Sequence, residues 1–288
     1  TMKKLLTILC LVLLVSCSPK PPPDGPYTKY YPSGQIEIKG NFKDGIPHGL
    51  IEKYYENGQL RLRGTIKDGI IEGYHEFFYE NGQLEKKGNV KDEIPYGLWE
   101  FFYKNGQLQE KGNYKNGKED GLWEWFYENG QLERRENFKD GIPHGLTEKY
   151  DENGQLKTRG NIKNGKPDGL QELFHENGDL LYKRYFKNGE IQIDESFHDN
   201  GQLEQRGTYK DGKEHGLIES YYENGQLETG GNYKNGKEDG SFKYFSKNGE
   251  VKTIGNYKEG NPHGTWEWFD EDGNLTGTEE YKDGELIE

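Results

Sequence analysis

The sequence predicts an all-β fold: an elongated single-layer antiparallel meander of about eleven stacked β-hairpin repeats of 24 residues. Three observations carry this. First, the phrase Asn-Gly-Gln-Leu, or a near variant, returns along the chain. Its glycine falls at Gly34, Gly58, Gly82, Gly106, Gly130, Gly154, Gly178, Gly201, Gly225, Gly249 and Gly273, with nine spacings of 24 residues and one of 23. A fixed period of this length marks a repeat array. Second, apolar and polar residues between these glycines alternate with the period of two that a strand requires. Third, hydrophobic residues make up 30% of the 288, while glycine accounts for 41. That is sparse for a closed globule of this size, but it suits an array in which each unit is propped only by its neighbours. About 22 strands at roughly 4.8 Å each would extend on the order of 100 Å before twist.

In the second unit the strands run from Leu50 to Tyr55 and from Leu60 to Lys67, on either side of Asn57-Gly58. Asn-Gly tolerates the positive φ that a type I′ turn needs at both central positions, so the tight turn is expected there. Asp68 to Gly73 then reads as a longer turn. Counting by twos assigns the faces. A pre-turn aromatic column (Tyr54, Phe78, Phe102 and equivalents), a post-turn aliphatic column (Leu60, Leu84, Leu108), a glycine column (Gly40, Gly64, Gly88, Gly112) and a further apolar column (Phe42, Ile66, Val90, Tyr114) are expected to share one face. Large rings beside bare glycine suggest a ring lying over the neighbouring backbone. This is the expected core face. The opposite face varies between units: Trp99, Phe101 and Tyr103, then Trp123, Trp125 and Tyr127, and later Trp266 and Trp268, stand where other units have Lys53, Thr147, Gln171 or Ser220. Those eight aromatic residues are the expected partner-binding site, because exposed large aromatic groups mark contact surfaces.

The phrases Tyr-Tyr-Glu-Asn-Gly-Gln-Leu (54–60) and Gly-Asn-Tyr-Lys-Asn-Gly-Lys-Glu-Asp-Gly-Leu-Trp-Glu (112–124) resemble the bacterial MORN-variant repeat of YwqK-type, antitoxin-like proteins. The resemblance runs from about residue 25 to 288. It implies a scaffold or interaction module, with neutralisation of a specific toxin as the second reading.

Taken in order, the chain opens with a targeting segment. Lys3 and Lys4 precede an apolar run from Leu5 to Val15, too short to span a bilayer and suited to a signal peptide over residues 1–16. Leu14-Val15-Ser16-Cys17 resembles a bacterial lipobox, which makes Cys17 the lipidated residue; an ordinary secretory peptide is the other reading. Cys10 and Cys17 are the only cysteines, so the array itself has no disulfide or thiol chemistry. Residues 17–24, with Pro19 and Pro21-Pro22-Pro23, read as an extended tether. Ser18 after the cysteine favours the outer over the inner membrane of a bacterial envelope. The array fills residues 25–288. Glu93 and Glu136 depart from the pattern as single residues; the real break falls at 184–196, where the unit is one residue short and Arg184 takes the glycine column. The deletion is expected in a loop, because within a strand it would flip every later side chain. The last unit carries Glu279, Glu280, Asp283 and Glu285, charges that discourage edge-to-edge pairing.

A net charge of −13 argues against nucleic acid, which needs Lys/Arg stripes. The periodic carboxylates Glu52, Glu76, Glu100, Glu124, Glu148, Glu172, Glu195, Glu219 and Glu267 invite a glycosidase reading. They recur once per hairpin, which favours structural pairing with Lys or Arg of the neighbouring strand. His175 and His198 lack a close third ligand for a metal, and Asp270 to Asn274 lacks the closing acid of a calcium loop. No catalytic set and no cofactor is expected. The expected function is a non-enzymatic, envelope-anchored scaffold that binds a protein or peptide, touching the membrane through its lipid alone.

Overall fold

The computed structural model describes residues 21–287. Its strands fall into two units, one reaching Ile142 and including Glu152–Gly154, the other holding Pro143–Asp151 and everything from Gln155 onward. The first contains β1 (Gly25–Tyr30), β2 (Ile36–Lys43), β3 (Ile46–Tyr54), β4 (Leu60–Lys67), β5 (Ile70–Phe78), β6 (Leu84–Lys91), β7 (Ile94–Phe102), β8 (Leu108–Lys115), β9 (Lys118–Phe126) and β10 (Leu132–Lys139). Each pairs antiparallel with the next, as a meander requires. The second unit continues with β11 (Ile142–Tyr150), β12 (Leu156–Lys163), β13 (Lys166–Phe174), β14 (Leu180–Lys187), β15 (Glu190–Phe197), β16 (Leu203–Lys210), β17 (Lys213–Tyr221), β18 (Leu227–Lys234), β19 (Lys237–Phe245), β20 (Val251–Lys258), β21 (Asn261–Pro262), β22 (Gly264–Phe269), β23 (Leu275–Lys282) and β24 (Glu285–Leu286). It too is an antiparallel meander, with β20 pairing both β21 and β22.

The two connections of each repeat are the reverse of the sequence expectation. The tight two-residue turn is Asp68-Gly69, with φ of 50° and 80°, and its equivalents elsewhere. Positive φ at both central residues is the type I′ signature that matches strand twist. At Asn57-Gly58 only the glycine is left-handed, at 82°. There the connection is a five-residue loop closed by Tyr55 N–H to the Gln59 carbonyl (2.8 Å) and Gly58 N–H to the Tyr55 carbonyl (2.9 Å). Both connections carry Asn-Gly or Asp-Gly, so dipeptide identity alone did not separate them.

The face assignment is also corrected, and a β-bulge is the reason. Across β3 and β4, Lys53 pairs with Leu62 but Tyr54 pairs with Leu60, so one residue of β4, Arg61, is extra. Such a bulge breaks the count by twos. Paired residues share a face, so Tyr54 lies with Glu52, whose carboxylate accepts its hydroxyl at 2.8 Å, and not with Gly64. A second offset lies near the tight turn: Gly40 pairs with Ile51 and Phe42 with Pro47, leaving β3 two residues longer over that span. It is even, so it preserves the faces.

Three rows therefore cross the strands of the first unit on its core face. One runs Gly40, Ile51, Gly64, His75, Gly88, Trp99, Gly112, Trp123. The column expected to vary for a partner's sake is thus the column that packs. Ile51, His75, Trp99 and Trp123 are 1 to 2% exposed. Each sits over the bare glycines of the strands beside it; a Cβ built on Gly64, Gly88 or Gly112 would fall far inside van der Waals contact with the His75, Trp99 or Trp123 ring. The ring-over-glycine idea holds, with a different ring. The indole N–H groups are not wasted: those of Trp99 and Trp123 donate to the carbonyls of Asn89 and Asn113, at 3.0 and 3.1 Å. Flanking rows supply Ile38, Leu62 and Phe77 on one side and Phe42, Ile66, Val90 and Tyr114 on the other, forming one apolar cluster with these rings. Tyr114 meets Trp123 edge-on with centroids 5.0 Å apart, the arrangement aromatic quadrupoles prefer.

In the second unit the same column buries Ile218, Phe242 and Trp266. Tyr257 stands edge-on to both rings, at 4.9 and 5.2 Å. The short repeat keeps its tight turn, Asn188-Gly189. The missing residue comes out of the strand offset instead: Tyr185 pairs with Ile193 and Phe186 with Ile191, one extra residue where other units have two. The expectation of a loop deletion is corrected accordingly. With the offset shortened, Asp194 stands opposite both Arg184 and Gly207, where other units place the core side chain. Arg184 and Asp194 meet as an ion pair at 2.9 Å, replacing the usual packed ring.

Candidate functional site

The fold divides the sequence-predicted aromatic site. Trp99, Trp123 and Trp266 are buried core residues. They offer no surface to a partner. Phe101, Tyr103, Trp125, Tyr127 and Trp268 are half-buried. Trp125 is held by its own neighbours: its indole donates to the Glu110 carboxylate at 2.7 Å and the Arg134 guanidinium lies 3.8 Å above its ring. Tyr103 donates its hydroxyl to the Phe126 carbonyl at 2.7 Å. Cys17, the expected lipid site, lies outside the described residues.

Tyr103 belongs to a device that strand counting did not reveal. Tyr31, Tyr55, Tyr79 and Tyr103 each donate to the carbonyl 23 residues ahead, at 2.7 to 2.8 Å. Asn57, Asn81, Asn105 and Asn129 do the same with their amides, and the Asn57 side-chain oxygen accepts from the Gln59 N–H at 2.9 Å. In the second unit Tyr222 and Asn224 repeat the bonds, and His198 reaches the Tyr221 carbonyl at 2.7 Å. The repeated phrase is therefore a stitch between consecutive loops. The signal was its invariance within the chain, which a turn alone does not demand.

On the outer face of the first unit a charged row crosses the strands: Lys39, Glu52, Arg63, Glu76, Lys87, Glu100, Lys111, Glu124. Cation and anion alternate strand by strand. Arg63 lies 3.1 Å from Glu52 and 3.8 Å from Glu76, Lys87 lies 2.9 Å from Glu100, and Lys111 lies 2.8 Å from Glu124. The periodic glutamates are thus rungs of a structural ladder. Burial opposes ionisation of Glu52, yet hydrogen bonds from Tyr54 and Arg63 prevail and lower its pKa. Each exposed rung is worth at most about 1 kcal/mol, so the row serves register and solubility more than stability. Among the described residues, no group of three or more His, Cys, Asp or Glu side chains is gathered where a metal could sit.

Beside that row, toward the tight turns, lies what the sequence reading missed. Leu50 precedes the core residue Ile51, so it points outward, and Ile46 precedes the buried Pro47 in the same way. Ile46, Leu50, Ile70, Tyr74, Ile94, Leu98 and Leu122 are each 44 to 54% exposed. They form two apolar columns on successive hairpins, about two strand spacings or roughly 10 Å apart. A monomer's surface normally scatters its exposed aliphatics; a contiguous field marks an interaction surface. Within the second unit Lys166, Lys213 and Lys237 stand where Ile46 stands, while the Leu50 column continues through Leu146, Leu170 and Leu217 and turns polar at Ser241 and Thr265. The doubled field, with both columns apolar, belongs to the first unit, and the polar substitutes show that the hairpin does not require it.

Repeated hairpins stitched loop to loop, with one packed face and one open face, define an all-β repeat scaffold. Eleven stretches match the MORN repeat variant, at residues 23–44, 47–68, 71–92, 95–116, 119–140, 143–164, 167–191, 195–211, 214–235, 238–259 and 262–283, and the chain belongs to that family. The two matches of unusual length, 167–191 and 195–211, flank the shortened repeat. No curated protein matches the chain significantly.

Proposed function

We propose that this chain is a non-enzymatic scaffold that captures a protein or peptide partner on the outer face of its first unit, and that a lipid on Cys17 holds it at a bacterial envelope. The exposed field of Leu50, Tyr74, Leu98 and Leu122, with Ile46, Ile70 and Ile94 alongside, carries the reading. Nothing in the hairpin requires apolar side chains there, since Ser241 and Thr265 fill the same column elsewhere. Paired rungs of both signs border the field, giving the mixed polar rim typical of recognition surfaces.

The test is a crosslinked pull-down from the source cell's envelope fraction, comparing the native chain with Leu98→Asp/Leu122→Asp. Both side chains are half exposed, so the variant keeps its β-type circular dichroism. Loss of a partner that the native chain captures supports the proposal. Capture that survives the double substitution, or that is lost only when Phe101 and Trp125 are truncated, overturns it.

A further inference from the structure

The chain contains thirteen Asn-Gly pairs, the dipeptide in which an asparagine side chain is most readily attacked by the next backbone nitrogen, because glycine puts nothing in the way. We infer that one of them, Asn116-Gly117, is a site of spontaneous deamidation and that the fold guards the rest. In this reaction the Gly117 nitrogen gives up its proton and bonds to the Asn116 side-chain carbon. Ammonia leaves with that proton, and a five-membered succinimide remains. Water then opens the ring at one carbonyl or the other, giving aspartate or isoaspartate. No other reagent is needed.

Two things restrain such a reaction: fixing the side-chain amide, and engaging the attacking N–H in a hydrogen bond. Eight of the nine loop asparagines have both. Asn57, Asn81, Asn105, Asn129, Asn200 and Asn224 donate their amides to a carbonyl of the next loop and accept from the residue two places on. Their glycine N–H groups are bonded at 2.8 to 2.9 Å. Asn177 and Asn248 are tied within their own loops, with Gly178 and Gly249 N–H bonded at 3.0 and 2.8 Å. Asn153 is also partnered.

Three of the four tight-turn asparagines have freer side chains but not freer glycines. Gly165, Gly189 and Gly236 donate to the carbonyls of Pro143, Pro167 and Glu214, at 2.9, 2.8 and 2.9 Å. Asn116-Gly117 is the pair with neither restraint: among the described residues no hydrogen bond engages the Asn116 side chain or the Gly117 N–H, and Asn116 is exposed to water. The comparison is internally controlled, because Asn116, Asn164 and Asn235 share the tetrapeptide Lys-Asn-Gly-Lys. Only the fold distinguishes them.

The two products differ in consequence. Aspartate is at home in this turn, since Asp44, Asp68 and Asp140 occupy the equivalent place with φ of 50 to 52°. Isoaspartate lengthens the backbone inside a two-residue turn and disturbs the β8–β9 hairpin.

The full chain would be aged at neutral and mildly alkaline pH, digested, and its Asn-Gly sites quantified by mass spectrometry, folded and in denaturant. Conversion at Asn116 several-fold ahead of Asn164 and Asn235 in the folded chain, with the three levelled in denaturant, is the expected result. Equal rates in the folded chain, a different leading site, or an Asn116 lead that persists in denaturant each overturns the inference.

Discussion

Replacing Gly112 by alanine tests the packing scheme at its tightest point. Strand propensity alone favours the change, because alanine removes backbone freedom from the unfolded chain, worth about 0.5–1 kcal/mol. The structure gives the opposite sign. The new methyl would occupy space already filled by the Trp123 indole. That ring is 2% exposed and its N–H donates to Asn113 at 3.1 Å. Overpacking of this kind costs roughly 1–3 kcal/mol, and losing a buried hydrogen bond about 1 more. A net destabilisation of about 1–3.5 kcal/mol follows once the entropic gain is subtracted. Gly277→Ala is the control: it lies in β23 without a left-handed φ, and a Cβ there meets nothing within 4 Å. Urea titration of the full chain, followed by tryptophan emission and by amide exchange in β8 and β9, reads both. Equal behaviour of the two variants, or a more stable Gly112→Ala chain, would refute ring-over-glycine packing as the source of cohesion.

Other expectations follow from the same geometry. Glu93 holds a φ of 64° where every other repeat places glycine; Glu93→Gly should raise local stability by about 1 kcal/mol, and no gain by the same titration would show the turn to be unstrained. Burial holds the His75 imidazole below its ordinary pKa of 6.5 despite the Gly73 carbonyl 3.1 Å from Nδ1. The folded state thus binds the proton more weakly than the unfolded chain. Stability is complete above about pH 6.5 and falls as the pH drops below it, by at most about 1.4 kcal/mol per unit. His75→Ile, which copies Ile51 at the same place in the repeat, should remove that component of an acid titration. Tyr79→Phe deletes one loop stitch, to the Phe102 carbonyl at 2.8 Å, and should cost about 1 kcal/mol with faster amide exchange confined to the adjoining loops.

The period, the strand class and the structural role of the glutamates were legible because each depends only on spacing. Glu52 and Arg63 face each other whichever way the sheet is turned. The faces were not legible. They hinge on a single extra residue, Arg61, whose identity announces nothing; a bulge is a property of hydrogen-bond register, which a count by twos cannot see. Carried past Arg61 from Leu62 to Leu60 and its partner Tyr54, the count took the wrong parity, and so sent Trp99 outward. The turns were exchanged for a related reason. Asn57-Gly58 and Asp68-Gly69 are both good type I′ dipeptides, and the choice between them was made by the side-chain bonds of Tyr55 and Asn57 to the following loop. The exposed Leu50 column was hidden by the same inversion, since it lies opposite the packed rings.

The stitches reach a constant distance along the chain: 23 residues forward from Tyr55 and Asn57, and 22 back from Gly141 and Gly165. A whole hairpin copied into such a chain would find every donor and acceptor waiting on both flanks, and a whole hairpin cut out would leave the newly adjacent units equally well matched. Length is therefore free to change in steps of one module. Growth or shrinkage by a single amino acid meets the penalty that Arg184 and Asp194 show, where the usual packing is given up and an ion pair closes the gap.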